Sequence, residues 1–259
     1  MKKLVVANWK MNPETEDQAR KLASAVEHEL KAFSDPVEVV IAAPLVFLPS
    51  LSRYLKKSRL AAQNTSWAEG GALTGEVSPK QLQEYNVSHV ILGHSERRLY
   101  LGETDSVINA KILSALKHKI TPIVCLGGES GAIKNEMKTL VTKQFIKCTQ
   151  GLTKQQLAKI IYVYEPTWAI STMKKSQPAT GDHAAELVVH IQSLLAHRIG
   201  AKHSVKVPVL YGGTVNKNNV HEYAKYPQIA GALVGAASLD ADNFLEVIKE
   251  FSRESIHRS

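Results

Sequence analysis

Glu165 closes an apolar run in "VYEPTWAIST" (163–172), where strand-forming residues give way to a proline. His94 stands at a similar junction, between "HVILG" and "SERR", and Asn8 and Lys10 lie where "KLVVANWKMN" leaves its apolar stretch. A carboxylate can remove a proton, and a neutral imidazole can hydrogen-bond to an oxygen and exchange a proton with it. An ammonium can stabilise a developing anion. Taken singly, each has a plainer reading: a solvated strand end, a structural histidine, a surface lysine, an amide satisfying backbone groups. Ser95 reads as a helix cap, and the positive end of that helix disfavours imidazolium at His94. Glu96 has two open readings, an ion pair with Arg97 or Arg98 or a part in the chemistry.

Two further stretches suit an anion. "YGGTV" (211–215) and "LVGAAS" (233–238) combine glycines with small residues running into a helix start. Backbone N–H groups can approach a phosphate closely there, the recurrent phosphate site of barrel enzymes.

These groups need a scaffold that brings distant segments together. Eight short apolar runs recur: "KLVVAN" (3–8), "VEVVIAAP" (37–44), "LAAQN" (60–64), "HVILGH" (89–94), "TPIVCLG" (121–127), "IYVYEP" (161–166), "VPVLYGG" (207–213) and "AGALVGA" (230–236). They barely alternate, as parallel strands buried on both faces require. Helical patterns lie between most of them. Leu22, Val26 and Leu30 recur every four residues, with Asn12-Pro13 as the expected helix start. Ile108 and Ile112, then Leu187, Ile191 and Leu195, then Phe244, Ile248 and Phe251 repeat at the same spacing, and Gly200 is a plausible stop. Eight strand–helix units in one α/β domain predict a closed (β/α)8 barrel. An open doubly wound sheet would carry a glycine-rich turn after its first strand, and "ANWKMN" has none.

Composition narrows the classes. The chain has 259 residues, 44% of them hydrophobic, and no apolar stretch of membrane-spanning length. The N-terminus reads as a first strand of an unprocessed cytoplasmic protein. Two cysteines, Cys125 and Cys148, make no metal set and no disulfide framework and read as buried reduced thiols. The net charge is +8, but lysines are scattered among acidic residues along the chain, so a solvated basic surface is expected and not a nucleic-acid partner.

The motifs "ANWKMN", "AAQNTS…LTGEVSP", "VILGHSERR", "YEPTWAI", "YGGTV" and "GALVGAASL" occur in order, and over roughly residues 2–250 the chain resembles the triosephosphate isomerase family. The resemblance implies the TIM-barrel fold and interconversion of dihydroxyacetone phosphate and D-glyceraldehyde 3-phosphate, in glycolysis and gluconeogenesis, with no cofactor or metal. It implies Glu165 as base and His94 as neutral electrophile and proton shuttle. Lys10 and Asn8 would stabilise the enediolate oxygens, with Glu96 tuning the network. Ser171, Thr214, Gly235 and Ala236 would offer backbone N–H groups to the phosphate. A lid at about 166–177 would close over the site. The long loop at about 65–78 would carry Thr74 into the site of a second copy in a homodimer. The rival readings are another phosphate-binding barrel enzyme, or a non-catalytic barrel used for binding.

The chain departs from the family at the lid tip, where Ser171 and Met173 replace glycines. Thr214 stands for a serine, Ala236 for a second glycine, and "CLGGES" holds an extra glycine before Glu129. Side chains at two lid positions restrict the φ/ψ states open to the segment. Returning Ser171 and Met173 to glycine is therefore expected to change turnover or the lid exchange rate, read by steady-state kinetics and relaxation-dispersion NMR. Unchanged values for both would retire this expectation.

Overall fold

The computed structural model describes residues 2–31, 37–128, 134–166, 168 and 179–256. Eight parallel strands close into one barrel in sequence order: β1 Lys3–Asn8, β2 Val37–Ala43, β3 Arg59–Ala62, β4 Val87–Leu92, β5 Thr121–Leu126, β6 Ile161–Tyr164, β7 Val209–Tyr211 and β8 Gly231–Val234. The helices form the outer ring: α1 Glu16–Leu30, α2 Leu48–Tyr54, α3 Pro79–Gln83, α4 Ser95–Leu101, α5 Asp105–Lys117, α6 Met137–Cys148, α7 Lys154–Leu157, α8 Gly181–Ile199, α9 Ala201–Ser204, α10 His221–Ala224 and α11 Ala241–Ile256. No described helix is long and apolar enough to cross a membrane.

The strands read as unbroken apolar runs because both faces are covered. Outward residues such as Val5, Val39, Val90 and Val124 pack against the helices. Inward residues such as Val6, Ala42, Ala61, Ile91, Ile123 and Val163 fill the interior. This alternation fixes the top layer of the barrel. Asn8, Gln63 and Glu165 each lie two residues beyond an interior residue of their own strand, Val6, Ala61 and Val163. Register holds at the strand ends: the Glu165 amide still donates to the Leu126 carbonyl (2.7 Å), and the Gly212 amide to the Tyr164 carbonyl (2.8 Å).

One helix start differs from expectation. Asn12-Pro13 does not open α1; Thr15 caps it. The Thr15 hydroxyl accepts from the Gln18 amide while the Gln18 side chain accepts from the Thr15 amide, a reciprocal box that satisfies two N–H groups at once. A cap before proline at residue 13 would forgo it.

At the opposite pole, Glu27 of α1 is buried and fastens the connection into β3. Its Oε2 accepts from the amides of Lys56 (2.8 Å) and Lys57 (2.9 Å), and its Oε1 from the Ser58 amide (2.7 Å) and hydroxyl (2.5 Å). Burial pushes this carboxyl up, but the bonds from Ser58, Lys57 and Lys56 outweigh it and hold the group below its ordinary value of 4.5. The resulting stability is present above pH 4.5 and is lost as pH falls through the lower native value. Glu27→Gln strands donors against an amide NH2 and is expected to lose about 2–4 kcal/mol at neutral pH. In urea unfolding, its deficit against the parent should narrow as pH drops below 4.5. A deficit that does not change with pH would contradict the assignment.

Candidate active site

The top layer holds one ionisable cluster, built around Glu165. Its side chain is 1% exposed and accepts from two donors, the Ser95 amide to Oε2 (2.9 Å) and the Ser95 hydroxyl to Oε1 (2.8 Å), while His94 Nε2 stands 3.0 Å from Oε1. Ser95 is therefore not the helix cap expected of it. His94 caps α4: its Nδ1 accepts from the Glu96 amide at 3.3 Å. An imidazole whose Nδ1 accepts a backbone N–H carries its proton on Nε2, the nitrogen that faces Glu165. The α4 start is held from below by Arg98, whose Nε donates to the Gly93 carbonyl (2.8 Å) and whose Nη1 pairs with Asp105 (2.6 Å). Close approach also matters here. A Cβ on Gly128 would come within 2.6 Å of the Ser95 Cβ, so a side chain at 128 would push Ser95 off the carboxylate. Burial first, and then the Glu165 carboxylate, push the Cys125 thiol well above its ordinary range. Both Cys125 and Cys148 are free and buried, as expected.

Lys10 enters the cluster from β1 with an unusual backbone. Its φ is +53°, a left-handed conformation costing a non-glycine residue roughly 1–2 kcal/mol. Three bonds enforce it. The Lys10 amide donates to Asn8 Oδ1 (3.1 Å), and Gln63 Nε2 donates to the carbonyls of Lys10 (2.8 Å) and Ala42 (2.9 Å). The side chain then reaches Glu96 Oε1 at 2.6 Å. Neither arginine pairs with Glu96: Arg97 binds Glu103 and Arg98 binds Asp105. The partners of Glu96 are therefore Lys10 and, at 3.6 Å, His94 Nδ1, and not the neighbouring arginines.

Asn8, Lys10, His94 and Glu165 line one cleft of about 380 Å³ together with Gly212, Thr214, Gly235 and Ala236. A Cβ on Gly235 would stand 3.4 Å from Lys10 Cε, so the β8 turn abuts the ammonium stem. Gly235 and Ala236 lead into a 3-10 turn over Ala236–Leu239, whose first amides have no partner inside the turn. The β7 turn is braced by Asn219, which the sequence reading passed over. Its Nδ2 donates to the Thr214 carbonyl (3.0 Å) and its Oδ1 accepts from the Asn216 amide (2.8 Å). The signal lay in the asparagine-rich "TVNKNNV" (214–220), since such side chains commonly bond to turn backbone.

Thr74 was expected in the site of a second copy and not in this one. It sits in the exposed loop after β3 and does not line the cleft. Ser171, Met173 and Glu129 lie outside the described residues. Trp9 is buried as an anchor, and Trp168 packs on the His183 ring with centroids 5.6 Å apart.

A buried carboxylate, a tautomer-fixed imidazole and an ammonium around one small cleft can move protons on a carbon next to a carbonyl. Two amide-rich turns beside them can hold a dianion. Residues 3–251 match the family model described as triosephosphate isomerase. A protein of Borrelia garinii subsp. bavariensis named triosephosphate isomerase is 41% identical over 251 residues, covering 95% of this chain and 98% of its own length. Namesakes from Streptococcus suis (40%) and Caldanaerobacter subterraneus subsp. tengcongensis (39%) match over the same shares. The chain belongs to the triosephosphate isomerase family.

Proposed function

We propose that this chain interconverts dihydroxyacetone phosphate and D-glyceraldehyde 3-phosphate through an enediol(ate), in glycolysis and gluconeogenesis and hence in the cytoplasm. The observation that carries the reading is the 3.0 Å approach of His94 Nε2 to the Glu165 carboxylate at the floor of the cleft that Lys10 also lines. Substrate would draw Glu165 off Ser95 and His94. The carboxylate would take a proton from the carbon beside the carbonyl, leaving the electron pair in the new C=C bond and negative charge on the carbonyl oxygen. His94 Nε2–H faces that oxygen, gives it a proton and recovers one from the neighbouring hydroxyl. Glu165 then returns its proton to the adjacent carbon. Lys10, steered by Glu96, offsets the oxyanion charge, and Asn8 keeps Lys10 in place. The amides of Thr214, Gly235 and Ala236 would hold the phosphate, with Ser171 of the lid completing the set.

A homodimer fits the same reading. Met11, Val46, Tyr100 and Leu101 are exposed apolar residues, at 93%, 75%, 69% and 63%. Met11, Tyr100 and Leu101 border a second cleft of about 650 Å³ that shares Asn8, Lys10 and His94 with the first. The loop at about 65–78, with Thr74 and the exposed Trp67, is the segment a twin would insert there, and its length argues against an idle loop.

Shortening the base tests the chemistry. Glu165→Asp withdraws the carboxylate by about one methylene, and a misplacement near 1 Å can cost about 10²-fold. Turnover in a coupled assay with glyceraldehyde 3-phosphate should fall at least that far while the far-UV circular dichroism spectrum stays that of the folded parent; a loss of only a few-fold would contradict the role. Dilution tests the assembly. Activity per chain should collapse as the protein is diluted below its dimer dissociation constant, and a sedimenting monomer with full activity would contradict the homodimer.

A further inference from the structure

The lysines that are dispersed along the sequence gather in space. Because the barrel is parallel, every helix-to-strand connection lies at the pole opposite the cleft. The connection into β3 carries exposed Lys56 and Lys57, and β3 itself opens on exposed Arg59. Those into β5 and β6 carry Lys119 and Lys159, and that into β7 carries Lys202 and Lys206. Lys2 and Lys31 add to the same face. In the described parts of these connections the carboxylates are Glu84 and, at the start of β2, Glu38, which lies 3.8 Å from Arg59. Among the described residues, none of Lys56, Lys57, Lys119, Lys159, Lys202 and Lys206 has a carboxylate at ion-pair distance. Helix C-termini also point to this pole, and each carries about half a negative charge. Eight such ends offset roughly four cations, fewer than the face presents.

The face is shaped as well as charged. Lys2, Lys56, Lys57 and Arg59 line a cleft of about 300 Å³ with Glu38. The backbone carrying two of them is clamped by Glu27, which takes the Lys56 and Lys57 amides inward. Their ammonium groups are displayed from a fixed support.

We infer that this pole binds the phosphodiester backbone of nucleic acid without reading its sequence. Lysine supplies point charges on flexible stems and lacks the planar fork that reads a base edge. Exposed aromatic surface for stacking is sparse: Tyr85 is 38% exposed, and Tyr226 is half-buried with its hydroxyl on Asp182. A strand of phosphates can enter the cleft, whereas a flat anionic membrane cannot. Stable membrane binding also wants an apolar anchor, and Val205 is an isolated exposed aliphatic residue in these connections. The site lies on the face away from Glu165 and is independent of the isomerase reading.

Fluorescence anisotropy with a labelled single-stranded RNA of about 20 nucleotides tests this. Binding is expected at about 50 mM salt and should weaken at least tenfold by about 200 mM, as counterion release requires. Lys56→Glu with Lys57→Glu, and separately Lys202→Glu with Lys206→Glu, should each weaken binding about tenfold or more while leaving isomerase turnover unchanged. Lys21→Glu with Lys138→Glu makes the same change in net charge elsewhere and should leave binding within about twofold. No binding at the lower salt would overturn the proposal. So would equal losses in the pole variants and that control, or tighter binding to phosphatidylserine vesicles than to RNA at the same salt.

Discussion

A carboxylate buried at the end of one strand and held by the start of a helix two strands away is the constraint on which this molecule depends. Removing an ionised carboxylate from water costs several kcal/mol unless donors replace the lost hydration. Glu165 obtains two from Ser95, and His94 Nε2 stands 3.0 Å away. They reach it because β4 and β6 flank β5 in a closed parallel sheet, so the segments leaving β4 and β6 meet over the barrel. An open or slipped sheet would leave the charge stranded. In the proposed reaction the same bonds would be exchanged for bonds to substrate, so the stability of the resting site would set a toll on its use.

Lys10 shows the complementary strategy. Its left-handed backbone is unfavourable by itself and persists because Asn8 and Gln63 bind the peptide groups on either side. Strain held by surrounding bonds is characteristic of functional positions. Its consequence here is directional: the ammonium is delivered to Glu96 and to the edge of the β8 turn rather than to solvent. The two turns beyond β7 and β8 leave room because glycine backbone stands where side chains would meet Lys10 or, at Gly212, Val163.

The fold was legible because doubly covered parallel strands need continuous apolar runs, and each of the eight runs overlaps a strand. Asn8 and Glu165 were legible for a related reason: each is a polar residue that continues an interior row of its own strand, after Val6 and Val163, into the mouth. What escaped was set by partners distant in sequence. Ser95 looks like a cap until β6 brings a carboxylate to its hydroxyl. Glu96 has arginines beside it in sequence, yet its partner comes from β1. Thr15 overrode Asn12-Pro13 through a local hydrogen-bond box rather than a proline preference. The lysines looked dispersed because a one-dimensional reading cannot see that successive connections return to one pole.

Soaking or co-crystallising the protein with a phosphorylated hydroxamate that mimics the enediolate would test the central claim most directly. The account predicts Glu165 released from Ser95 and lying over the carbons of the mimic. It also predicts His94 Nε2 donating to the mimic's oxygens and the phosphate on the amides of the β7 and β8 turns. A mimic bound elsewhere, or one bound while Glu165 stays on Ser95 and out of reach of its carbons, would contradict it.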